Sequence, residues 1–338
     1  MRLSRLLIMT ALSLAATNVA AMGIIDVHCH NILPSYLEVL ETHDALLDEG
    51  FPLPKWDVES HLAFMEEAGI ETSVLTMPAP QPWFGDVAES KRAVREYNEH
   101  CARLKKEYPG KFRFCAALPL PDVDAAIEEA VYALDSLGAD GVKLATNVRG
   151  QYLGDEALEP LMKVLDERNA VIIIHPHKPT PLNEEMMEQV PLAIYEYPAE
   201  TTRTIVNLLA HNTLARYTNV KMVIPHCGSF LPLAIPRMKA ILPAMIAKNL
   251  MEPVDFDANL SRFYYDLAGV ASPIAIKTML TITTPDHIMY GSDYPYQPAD
   301  RLTAGLKRLE RELAADSELA QYQELILHTN AENLFSHE

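Results

Sequence analysis

Basic residues are scarce in this chain. Lysine and arginine total 28 against 46 aspartates and glutamates, a formal net charge of −18 over 338 residues. The basic residues are scattered and form no stripe. A surface this acidic repels phosphate backbones and anionic lipid heads, which excludes nucleic acid and membrane partners. Cysteine is scarcer still. Cys29, Cys101, Cys115 and Cys227 show no CxxC spacing and are too few for a disulfide framework, so all four read as small buried residues. No GxGxxG or GxxxxGK follows any candidate strand, so dinucleotide and P-loop chemistry have no footing. Repeats of 20–50 residues and Gly/Ser linkers are also missing. Beyond the N-terminus no apolar run is long enough for a membrane span.

What is present begins with the first 21 residues, which differ from the rest. Met1 to Arg5 is basic, 6–16 is mostly apolar, and Val19, Ala20 and Ala21 fit a small-residue cleavage site. Together they read as a secretory signal peptide, leaving 22–338 as the mature domain in an extracytoplasmic location. Met22 offers the alternative of a cytoplasmic start.

The remainder is 49% apolar over the whole chain, enough for a sizeable core, and it alternates short β-rich runs with longer amphipathic stretches. Eight strands are expected at 24–27, 72–76, 112–117, 142–145, 171–174, 222–225, 263–267 and 288–290. Helices are expected from an N-cap at Asp57 to Gly69, and over 122–138, 200–217 and 232–249. Eight strands with interposed helices predict a single-domain α/β fold, a (β/α)8 TIM barrel. The stretches 31–56 and 178–198 leave the C-terminal ends of strands one and five, and both read as loops covering a substrate. Pro-rich 77–83 joins them at the same rim.

The chemistry gathers at strand ends. In Asp26-Val27-His28-Cys29-His30 the alternation of a strand sends His28 and His30 the same way, into the barrel mouth, and Cys29 outward. Apolar runs stop on His175 and on His226, and the last short strand runs into Asp293. His177, past Pro176, is a rival ligand in a turn-prone context and reads as a loop residue. Singly, each of these has an ordinary structural explanation. Strands one, five, six and eight all ending on metal-ligand types at one rim do not. His28, His30, His175 and Asp293 therefore read as ligands of a divalent cation, Zn²⁺ first, with Mn²⁺ or Fe²⁺ as alternatives. His226 falls to general acid/base work.

These motifs resemble the amidohydrolase superfamily, and within it the branch typified by aminocarboxymuconate-semialdehyde decarboxylase. The matching runs are DVHCH at 26–30, HPH at 175–177, PHCGSFLPLAIPR at 225–237 and YGSDYP at 290–295, which span the mature chain. The resemblance implies a barrel with a mononuclear site, the same four ligands, and His226 as the acid/base. Runs at 51–57, 118–122, 150–155 and 201–203 are most similar to 6-methylsalicylate decarboxylases. Two departures stand out. The glycine-rich turn of the semialdehyde enzyme is here Cys227-Gly228-Ser229, and its arginine four residues before a tryptophan is here Pro52, ahead of Trp56. Only Arg237 fits the family's carboxylate-binding arginine, which in some members crosses a dimer interface; a homodimer or larger homo-oligomer is implied.

The resulting expectation is non-oxidative decarboxylation of a small aromatic, salicylate-like carboxylic acid. Asp293 is the preferred proton donor, and the rim aromatics Trp83, Phe84, Tyr294 and Tyr296 are candidates to sandwich the ring. The rival is a hydrolase acting on a lactone, ester or amide with the same constellation.

Overall fold

The computed structural model describes residues 23–182, 190–269 and 271–336. The signal-peptide reading of 1–21 lies outside them. Eight parallel strands follow the chain in order: β1 Ile24–His30, β2 Ile70–Thr76, β3 Phe112–Ala116, β4 Gly141–Ala145, β5 Val171–His175, β6 Lys221–Ile224, β7 Phe263–Asp266 and β8 Ile288–Met289. The first and last strands meet through Val27 N–H to Tyr290 O (3.0 Å), Asp293 N–H to His28 O (2.8 Å) and His30 N–H to Tyr294 O (2.8 Å). The sheet thus comes round on itself as a (β/α)8 barrel, as the alternation of elements predicts.

The side chains sort by parity. Val142, Leu144, Ile172, Ile174, Met222 and Ile224 face outward into the large core shared with the helices. Val27, Val74, Val171, Ile173, Val223 and Met289 fill the interior, where they meet Ala331, Leu334 and Phe335 of the last helix, Asn330–Phe335. That helix closes one end of the barrel with apolar surface, which leaves the opposite rim for chemistry.

Helix boundaries follow local signals. The Asp57 carboxylate accepts from Ser60 N–H at 2.7 Å and starts Val58–Ala68, and Gly69 ends it in the left-handed region at φ 78. Asp122 caps Val123–Asp135 in the same way.

Several expectations need correction. The stretch 31–56 is not all loop, because Pro34–Thr42 is a helix with proline in its first turn. The helix expected at 200–217 begins at Leu192, runs through Pro198 to Ala210, and breaks before Thr213–Arg216, with Asn212 left-handed at φ 54. Proline there is tolerated because the carbonyl it leaves without a partner belongs to solvent-exposed Ile194. The covering loop after β5 is correspondingly shorter, and its residues 183–189 lie outside the described ones. Among the cysteines, Cys29, Cys101 and Cys115 are buried as expected; Cys227 is partly exposed. No helix among the described residues is long and apolar enough to cross a membrane.

Candidate metal centre and active site

β1 carries the first two candidate ligands by means of a register fault. Asp26 pairs with Ser73 and Cys29 with Leu75, so three steps on β1 match two on β2. This β-bulge reverses the alternation: Ile25 and Val27 face the interior below it, and His28 and His30 face the interior above it. Cys29 turns outward and its Sγ donates to Val74 O at 3.3 Å. On β5 no such device is needed, because His175 keeps the inward parity of Val171 and Ile173.

His226 and Asp293 lie just past their strands, and both have left-handed backbone, φ 57 and φ 63. Non-glycine residues in that region cost about 1–3 kcal/mol each and persist where the surroundings over-determine them. Here the surroundings are two buried aspartates. Asp266 accepts from His226 N–H and Ala268 N–H through Oδ1, both at 3.0 Å. Asp26 accepts from Ser292 Oγ at 2.5 Å, Ser292 N–H at 3.0 Å and His28 N–H at 3.1 Å, tying the bulge to the turn that bears Asp293. Burial pushes the Asp26 carboxyl up to about 7 despite these donors.

One donor atom from each of His28, His30, His175 and Asp293 lies within 4.8 Å of all the others. Each histidine has its Nδ1 engaged from behind: His28 on Asp266 Oδ2 at 2.8 Å, His30 on Thr76 O at 3.2 Å, His175 on Pro176 O at 2.9 Å. The forward Nε2 atoms of His28 and His30 are buried and make no hydrogen bond of proper geometry, although Asp293 Oδ1 lies 3.5 and 3.3 Å away. Buried polar atoms without partners cost about 1–3 kcal/mol. Three anchored imidazoles and a carboxylate converging on one point fit a divalent cation, which would satisfy all four donors.

The electrostatics agree at two of the three imidazoles, and His28 must lose a proton to join them. Burial, then neighbouring positive charge, lowers His175 well below the ordinary range, and burial lowers His30; neutral imidazole is the ligating form. Burial would also lower His28, but the Asp266 carboxylate against Nδ1 outweighs it and raises His28 to about 9. Burial would raise Asp293; the imidazoles of His226 and His30 beside it, with the charge on His28, hold it well below the usual carboxylate range.

Above this centre lies a cavity of about 850 Å³ whose lining includes His175, His226, Asp293, Tyr296, Phe51 and Arg301. His226 Nε2 is 3.8 Å from Asp293 Oδ2, so both border the same space. Of the four rim aromatics, only Tyr296 lines it. Tyr294 is buried in the outer core, stacked on Phe64 at 4.6 Å; Phe84 stacks on His43 at 4.1 Å; Trp83 borders a separate small pocket. Phe51, 5.7 Å from Tyr296, replaces them as the second aromatic wall. Arg237 is exposed on the helix Leu231–Ala247, outside this lining. His177 is a buried loop residue outside the quartet, its Nε2 taking a hydrogen bond from Lys143 Nζ at 3.0 Å. Asp266 was missed by the sequence reading. Its signal was available, since 263–266 is another β-rich run that stops on a ligand-type residue.

A family model described as amidohydrolase matches residues 25–336. The chain belongs to the amidohydrolase family. It is 33% identical to a 6-methylsalicylic acid decarboxylase of Aspergillus aculeatus over 306 residues, covering 86% of this chain and 90% of that one. A solved amidohydrolase II superposes with TM-score 0.84 at 33% identity, covering 93% of this chain and all of that one. The 5-carboxyvanillate decarboxylase of Novosphingobium aromaticivorans, solved with manganese and 4-hydroxy-3-methoxy-5-nitrobenzoic acid, shares the fold at TM-score 0.79 and 22% identity, covering 92% and 95%. Within the family this chain falls in the decarboxylase branch.

Proposed function

We propose that the protein is a metal-dependent, non-oxidative decarboxylase of a small hydroxybenzoate-like acid. The observation that carries this reading is its likeness, over most of both chains, to a 6-methylsalicylic acid decarboxylase. The cavity supports it: Phe51 and Tyr296 give an aromatic ring two walls, and the Asp293–His226 couple faces the same space.

His28, His30, His175 and Asp293 would hold a divalent cation, which would supply Lewis-acid polarisation of substrate oxygens. The chain's own groups do the rest. The aromatic walls and bordering prolines Pro52, Pro54 and Pro191 exclude water and hold the ring in place. Asp293 is ionised at rest, so its proton must come through His226, whose Nε2 faces it. Asp293 then delivers that proton to the ring carbon bearing the carboxylate, and the ring supplies the electron pair of the new C–H bond. The bond to the carboxylate breaks, its pair restores aromaticity, and CO₂ leaves.

Metal-replete protein incubated with salicylates, dihydroxybenzoates and lactones separates this reading from its rival. Release of CO₂ with a change in ring absorbance is expected from at least one acid. Lactone turnover with no CO₂ from any acid would overturn the reading in favour of a hydrolase.

Three finer points belong to the same proposal. Three imidazoles and one carboxylate favour Zn²⁺ by affinity, with Mn²⁺ as the rival, which metal analysis of the purified protein decides. Arg237 sits among exposed Phe230, Leu233, Ile241 and Met245, an apolar face suited to a second copy of the chain, so a homodimer is expected in sedimentation. An extracytoplasmic location predicts a mature N-terminus near Met22 in protein recovered outside the cytoplasm.

A further inference from the structure

Arg301 has no role in the reading above. It lies in the first turn of the helix Ala299–Ala315, just beyond the turn that carries Asp293. Among the described residues it is the only lysine or arginine lining the catalytic cavity. Its guanidinium makes no hydrogen bond and no ion pair with any described residue, although acidic residues outnumber basic ones by 46 to 28. A second groove of about 620 Å³ adjoins the cavity and shares Arg301 and Gly269 with it. Arg308 and Arg311, further along the same helix, line that groove, and no acidic side chain does. Ala304 and Gly305 keep the stripe between the arginines open, and a Cβ at Gly305 would meet nothing within 4 Å.

Arg308 shares its charge with Glu312, 3.9 Å away, whereas Arg301 and Arg311 have no acidic partner among the described residues, and cations at one mouth of an acidic protein draw in anions. A planar guanidinium with free N–H donors is matched to a carboxylate. Arg237, by contrast, is exposed and does not line this cavity.

We propose that Arg301 is a specificity-determining residue that binds the anionic group of an aromatic acid entering the cavity along the Arg301–Arg308–Arg311 groove. The inference rests on the decarboxylase reading only for the class of anion. It predicts that the site prefers carboxylates to their neutral amides because of this side chain.

The test is equilibrium binding of 2-methylbenzoate and 2-methylbenzamide to metal-loaded protein by calorimetry; neither ligand has the ring hydroxyl that decarboxylation needs. Arg301→Gln should weaken the carboxylate at least about tenfold, the size of one charge-assisted contact, and leave the amide within about twofold. Arg301→Lys should fall between the two, since it keeps the charge and loses the fork. Metal content and the melting transition, measured in parallel, keep misfolding out of the result, and Arg301→Lys carries the test if Arg301→Gln does not fold. Equal binding of the carboxylate by Arg301→Gln and the parent overturns the proposal even if CO₂ is released at full rate. So does equal weakening of both ligands. A selective loss upholds it even if no acid is decarboxylated, so the two readings fail separately.

Discussion

The two ends of the barrel are built from the same strands and differ in almost every physical respect. At the closed end, Val27, Val171, Ile173, Val223 and Met289 pack against Leu334 and Phe335 with no polar atom among these side chains. Two residues further along β5, Ile173 gives way to His175, and past β8 the same inward parity leads from Met289 to Asp293. The rim then concentrates what the closed end avoids: buried imidazoles, a buried carboxylate pair and left-handed backbone at His226, Cys227, Ser229 and Asp293. Stability and chemistry are thus separated along single strands. The apolar end contributes burial, and the rim spends conformational strain on holding Asp293 and His226 in place.

That separation can be broken from either side. The largest effect is expected at the rim. Asp293→Ala should lower kcat by about 10²–10⁴-fold and reduce bound metal, with a melting transition close to that of the parent's metal-free form. Metal analysis and calorimetry check both halves. Loss of folding instead would mean that the rim also holds the barrel together.

At the closed end, Phe335→Ala should destabilise the fold by about 3–5 kcal/mol in denaturant titration. The surviving folded protein should keep its metal and its KM. A changed KM would show that the ends are mechanically coupled.

Asp266→Asn probes the one residue that serves both the His28 imidazole and the His226 loop. Metal affinity should fall about 10–100-fold, as for other partners behind a ligating histidine. Because the His226 N–H contact can survive on the amide oxygen, kcat at saturating metal should fall less than in Asp293→Ala.

The last expected effect is a pH dependence. His28 in the metal-free fold is raised to about 9 from 6.5, so its contribution to stability is full below 6.5 and lost as pH climbs through 9. Lys143, lowered by burial to about 7, works in the opposite direction between 7 and 10.5, which blurs the melting curve. Metal affinity is the cleaner readout. The proton on His28 must leave for the ion to bind, so affinity measured by competition should rise from pH 6.5 to 9 and level off above it.

Much of the site was legible because the converging donor residues coincide with strand ends, and strand ends are marked by local pattern. Apolar runs stopping on His175 and His226, and the HxH pair at 28 and 30, need only the period of a strand and the convergence of a closed barrel to be assembled. Cap residues such as Asp57 and Asp122 were equally local. The aromatic walls were not. Trp83, Phe84, Tyr294 and Tyr296 are close in sequence to the rim, yet only Tyr296 faces the cavity, and Phe51 arrives from another loop.

The sequence by itself determined the eight-strand alternation, the choice of His28, His30, His175 and Asp293 as the residues that converge at one rim, and the acidic balance, since each depends on residue type and short-range periodicity. Only the tertiary structure decided the bulge between Asp26 and Cys29 that turns both histidines inward, and the anchoring of His28 by Asp266 across 238 positions. It also separated Arg301, which borders the cavity, from Arg237, which does not. Register, long-range hydrogen bonds and the reach of a side chain depend on which strands lie side by side. That arrangement is fixed by packing of the whole chain and by no segment alone.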